Sequence, residues 1–96
     1  MSGRPVFIRS AHFASGELTG RCQDALREAE GGYVTVETIV WRAMQEKGLD
    51  LADADVRDDF TRHFTWTLTA MLSRGVARKV GSGADARWGL ALAALT

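Results

Sequence analysis

Apolar residues recur along this chain with two periods, one helical and one extended. Leu18, Cys22, Ala25, Leu26 and Ala29 stand at i, i+4, i+7, i+8 and i+11, one stripe of a 3.6-residue repeat. That stripe predicts a first helix with Ser15 as its N-cap and Gly31-Gly32 as its stop, since glycine leaves a helix readily through left-handed backbone. Tyr33-Val34 is then too short for more than a single extended pair. Thr35 predicts the N-cap of a second helix, with Glu37 in the first turn, where the helix dipole favours an acid. Val36, Ile39, Val40, Ala43 and Met44 form its apolar stripe, and Lys47-Gly48 closes it with a base in the last turn and a glycine just past it.

Residues 49–55 read as a connector with several cap candidates. Asp53 or Asp55 opens a third helix, and Asp58 falls at the third helical position if Asp55 is the cap. Phe60, Phe64, Leu68 and Met71, with Leu72 beside them, carry its stripe to Arg74, and Gly75 ends it. Beyond Gly75 the period drops to two. Val76, Arg78 and Val80 alternate with Ala77 and Lys79, residues 81–86 are a turn-rich tip, and Trp88, Leu90 and Leu92 alternate with Arg87, Gly89 and Ala91. Two such runs around a glycine-rich loop predict a β-hairpin.

Composition narrows the class. Ninety-six residues make one domain, and 46% hydrophobic with 25% charged residues and one proline is the balance of a soluble globular protein. No apolar run approaches the roughly 18 residues of a membrane span, and the stretch from Met1 to Arg9 is too weakly apolar for a signal peptide. With Cys22 as the single cysteine no intramolecular disulfide is possible, which fits a reducing, cytoplasmic location. A secreted mini-protein, a membrane protein and a disordered tail are not expected. Net charge is zero, but its distribution is not even. Residues 44–60 hold Glu46, Asp50, Asp53, Asp55, Asp58 and Asp59 against Lys47 and Arg57, whereas from 61 onward Arg62, Arg74, Arg78, Lys79 and Arg87 face Asp85 alone. An acidic middle and a basic C-terminal third predict a polarised surface.

The order helix, short extended segment, helix, connector, long helix, hairpin resembles the winged helix-turn-helix family of DNA-binding domains. The resemblance covers about residues 17–92, and its most specific stretch runs from Leu68 to Val80, similar to the exit of a recognition helix through Arg74-Gly75 into the first wing strand. Trp88 and Leu90 match the anchors of the returning strand. The segment Gly16-Glu17-Leu18-Thr19 with residues 24–29 is similar, more loosely, to short bacterial proteins carrying such a domain, a likeness that brings no function with it. The resemblance implies an α+β, mainly α fold: three helices plus a C-terminal β-hairpin wing at 15–96, after a short extended N-terminal arm at 1–14.

It also implies duplex DNA as partner, read by the third helix (about 55–74) and the 76–92 wing in a transcription-regulator-like role. With Phe64 toward the core, steps of about 100° per residue place Arg62, Trp66, Thr69 and Ser73 near the opposite face. Arg62 can donate two hydrogen bonds to guanine, and Thr65 or Thr69 can meet a phosphate or a thymine methyl. Arg78, Lys79 and Arg87 on the wing can hold phosphates, and Arg57 counts with them among the DNA-binding residues, while Arg57 and Arg62 can also offset the nearby carboxylates. Against strong binding stand Asp53, Asp55, Asp58 and Asp59 at the entrance of the same helix, and a pI near 6.7 where dedicated nucleic-acid domains often exceed about 9. A homodimer, or a partner supplying charge, is therefore expected.

The alternative is a winged helix used for protein contact or dimerisation without intrinsic DNA affinity, with Trp41 and Trp66 as its interface. Both tryptophans fall off the centre of their stripes, and exposed tryptophans favour interfaces. The blander expectation is that the arm, Pro5-Val6-Phe7-Ile8 with Phe13, folds over one of them, and another is that Trp66, as a DNA-binding residue, stacks on a base or sugar. An accessory domain working beside a larger enzyme is a third possibility. No enzyme activity, cofactor or metal is expected of the chain itself. His12, His63 and Cys22 lack metal-ligand spacing, Asp58 and Asp59 diverge as neighbours on a helix, and Gly81-Ser82-Gly83 opens no phosphate-binding helix.

Overall fold

The computed structural model describes residues 12–91. Helix α1 spans Glu17–Glu28, α2 Val36–Glu46 and α3 Ala54–Ser73. An antiparallel hairpin follows, β1 over Ala77–Val80 and β2 over Arg87–Leu90, with one 3₁₀ turn at Gly83–Asp85 in its tip. Three helices followed by this hairpin make the mainly helical α+β, winged-helix layout expected from the order of elements. Residues 1–11 of the expected arm, Pro5 to Ile8 among them, and Leu92 lie outside the described residues.

Local chemistry explains the helix ends, with one correction. Thr35 caps α2 through its side chain, accepting from the Thr38 N–H, and Asp53, not Asp55, caps α3 by accepting from the Val56 N–H. Ser15 does not cap α1. The cap position is Gly16, at φ 80° with no side-chain hydrogen bond. A tight turn stands before the helix instead, the Glu17 N–H donating to the Ala14 carbonyl and the Glu17 carboxylate accepting from the Ala14 N–H, each at 3.0 Å. The same carboxylate accepts from Arg21 at 2.7 Å and pairs with Lys47 from the end of α2 at 2.9 Å. With Gly16 in left-handed backbone, the helix starts one residue later than a Ser15 cap would place it.

The predicted stripes meet in one core. Cys22 and Leu26 of α1, Ile39, Val40, Ala43 and Met44 of α2, and Phe60, Phe64, Leu68 and Met71 of α3 are buried together with Ala77 and Trp88 of the hairpin. Phe13, just before α1, packs its ring 4.6 Å from Phe60 and edge-on to Phe64 at 5.5 Å. The last residues of the arm thus cover the core aromatics, and Phe13 is not folded over a tryptophan.

The hairpin is docked more firmly than its two short strands suggest. Val34 forms an antiparallel bridge with Trp88, donating to its carbonyl at 2.8 Å and accepting from its N–H at 2.7 Å. The extended pair Tyr33-Val34 therefore occupies the free edge of β2. Arg78 adds a second tie, donating from Nη2 to the Gly31 carbonyl at 2.7 Å and stacking 4.7 Å from the Tyr33 ring. Gly89 marks the closest approach, since a Cβ there would stand 2.6 Å from the Gly32 carbonyl oxygen. In β1 the inward position is Ala77, and Val80 is half exposed. Trp88 is the large buried side chain of the hairpin, with Lys79 paired opposite it and laid over its ring.

Candidate functional site

The residues expected to face DNA divide between two surfaces. Arg62, Trp66 and Thr69 stand exposed on the side of α3 away from the core, and Ser73 is exposed at its end. Trp66 is 61% exposed, touching His63 with ring centroids 5.7 Å apart. His63 is held in place, its Nδ1 donating to the Asp59 carbonyl at 2.7 Å. Arg57, Thr65 and Lys79 instead turn toward a groove between α2, the first half of α3 and the hairpin, together with Trp41. Trp41 and Trp66 therefore lie on different surfaces and do not make one patch. Arg87 is exposed on β2 opposite Val80. Arg78 is not a free wing cation, because Gly31 and Tyr33 hold its guanidinium.

Ion pairing separates the two halves of the molecule. Every described cation before residue 50 has an acid partner. Arg21 pairs with Glu17 and Glu46, Arg27 with Asp24, Arg42 with Glu28, and Lys47 with Glu17. Several of these pairs join α1 to α2 across a second cavity, of about 420 Å³, rimmed by Arg21, Glu28, Arg42 and Glu46. Among the described residues, Arg57, Arg62, Arg74, Lys79 and Arg87 form no ion pair. The aspartates at the start of α3 are partly engaged: Asp53 as the cap, Asp50 on the Ala52 N–H, Asp59 near His63. Asp55 and Asp58 stay exposed, and neither Arg57 nor Arg62 neutralises them.

Two ionisable groups are held far from their ordinary behaviour. Partial desolvation of Glu17 acts to raise its pKa, but the hydrogen bonds from Ala14, Lys47 and Arg21 outweigh it and hold the carboxyl down at about 2. Burial pushes the Cys22 thiol up to about 12, so this cysteine is a packed apolar group with little thiolate character.

The groove is what reading the chain residue by residue missed. Its lining comes from three elements, and the one local sign of it was the position of Trp41 off the centre of the α2 stripe. No helix among the described residues is long and apolar enough to cross a membrane, and no group of three or more His, Cys, Asp or Glu among them could hold a metal ion. The chain matches no family model, no curated protein and no solved structure.

Proposed function

We propose that this chain is a winged-helix module that binds duplex DNA through the outward side of α3 and the hairpin, acting as a pair of copies in a transcription-regulator-like role. The observation that supports it is the segregation of ion pairing. Cations on α1 and α2 are spent on internal pairs, while Arg62, Lys79 and Arg87 on α3 and the hairpin have none. Unpaired cations are free to displace counterions from a phosphate backbone. With Asp55 and Asp58 exposed in its opening turns, α3 would engage the major groove of DNA from Arg62 onward, and each copy alone would bind weakly.

The test is fluorescence anisotropy against a labelled mixed-sequence duplex at several salt concentrations. Log affinity should fall linearly with log salt, at about 0.9 per phosphate neutralised. Arg62→Ala and Lys79→Ala should each weaken binding and lower that slope by about one. Unchanged binding in both variants would refute this docking.

The exposure of Trp66 favours a second reading, a module that contacts protein. In that case Trp66→Ala lowers the mass in solution, or abolishes partner binding, without loss of folding, and DNA affinity is absent even at low salt.

A further inference from the structure

The groove between α2, α3 and the hairpin measures about 620 Å³, within the ordinary range of small-molecule sites. Val36, Val40, Trp41 and Trp88 give it an apolar wall. Its polar lining carries two bases, Arg57 and Lys79, two acids, Glu37 and Asp58, and the hydroxyls of Thr61 and Thr65. Arg57 and Lys79 have no ion pair, and the hydroxyls of Thr61 and Thr65 make no hydrogen bond among the described residues. Two buried donors carried by lining residues, Arg57 Nε and Trp88 Nε1, lack an acceptor. Buried N–H groups without acceptors are destabilising and uncommon, and these two are carried by side chains that border the groove.

Glu37 and Asp58 also border the groove, both exposed and neither paired with Arg57 or Lys79. Both acids oppose any negative charge on an occupant, but as exposed groups they are screened by solvent more than the half-buried Arg57, so one negative charge is tolerated better than two. The cavity across α1 and α2 differs, since its arginines are already joined to Glu28 and Glu46.

We infer that the groove binds an organic monoanion with a flat apolar body, a carboxylate on an aromatic ring system. Its charge lies between Arg57 and Lys79, and its ring lies against Trp41 and the Val36–Val40 wall. The inference is independent of DNA binding, although an occupant would engage Arg57, Thr65 and Lys79 and so compete with any phosphate for them.

Three ring-matched probes test it on the full chain: naphthoate, the neutral naphthalenemethanol and the cationic naphthylmethylammonium. Heteronuclear NMR follows the indole N–H signals of Trp41, Trp66 and Trp88 during each titration. Naphthoate should shift the Trp41 and Trp88 signals saturably, leave Trp66 in place, and bind at least about tenfold tighter than the alcohol, with the ammonium weakest. Lys79→Gln, on an exposed strand position, should remove most of that preference while leaving the affinity for the alcohol unchanged. Arg57→Gln should act alike, and Lys79→Gln alone decides the matter if Arg57→Gln fails to fold. The inference is overturned if no saturable shift occurs at Trp41 and Trp88, if the three probes bind equally, if Trp66 moves with the others, or if Lys79→Gln leaves the preference intact.

Discussion

Adding one methyl group at Gly89 should loosen the hairpin, and adding the same group at Gly20 should tighten α1. At Gly89 a Cβ meets the Gly32 carbonyl oxygen at 2.6 Å, the Tyr33 ring at 3.3 Å and Arg78 Nε at 3.5 Å. The nearest of these is backbone, and it is not free to retreat. The Gly32 N–H is bonded to Ala29 at 2.9 Å, Arg78 grips Gly31, and Val34 is bridged to Trp88 one residue from the substitution. Gly89 has no positive φ, so the cost is steric and not conformational. Overpacking of this kind costs about 1–3 kcal/mol. For a domain of this size that is a fall of roughly 5–20 °C in Tm, at about 4–8 °C per kcal/mol. At Gly20 a Cβ meets nothing within 4 Å, and the position lies inside α1. Relief of glycine's backbone entropy there should add about 0.5–1 kcal/mol, a rise of a few degrees. Thermal unfolding followed by far-UV circular dichroism reads both variants against the parent. If Gly89→Ala melts within about 2 °C of the parent, the tight seat of β2 on the Gly31–Val34 segment is wrong.

Glu17 should govern part of the acid sensitivity. Its folded pKa of about 2 lies below the ordinary 4.5, so its contribution is present above pH 4.5 and is lost as the pH falls toward 2. Glu17→Gln should flatten that limb of a denaturant-midpoint-against-pH curve, by roughly 1 kcal/mol after solvent screening. Cys22, buried with its thiol at about 12, should react with a thiol reagent in the native state only as fast as the chain opens, and at once in denaturant. Rapid native labelling would contradict its place in the core. Arg78→Gln should cost about 1–2 kcal/mol through loss of the Gly31 bond and the Tyr33 stack, measured by denaturant unfolding. The same variant should leave the salt slope of any DNA binding unchanged, in contrast to Lys79→Ala.

The helices were legible because their information is local. Thr35, Asp53, Gly48 and Gly75 end helices by short-range hydrogen bonding and by left-handed backbone, and the stripes of α2 and α3 lie where the 3.6-residue period puts them. Ser15 has the better cap side chain, yet α1 begins one residue later, because Gly16 takes left-handed backbone in the Ala14–Glu17 turn, and Lys47, thirty residues away, holds the Glu17 carboxylate. The wing arginines could not be ranked from their sequence either. Arg78 and Lys79 are neighbours, yet the strand alternation sends one toward Gly31 and Tyr33 and the other over Trp88.

The number, kind and order of elements, the buried side of each helix and the location of the hairpin all follow from periodicity and from caps a few residues long, and so are written in the chain. Packing settles which of the described cations lack an ion pair, that Val34 completes the edge of β2, and that Trp41, Arg57, Thr65 and Lys79 share one groove that Trp66 does not line. Each of these depends on contacts between residues far apart in the chain, and a charge or an indole acquires its role from the partner that packing brings to it.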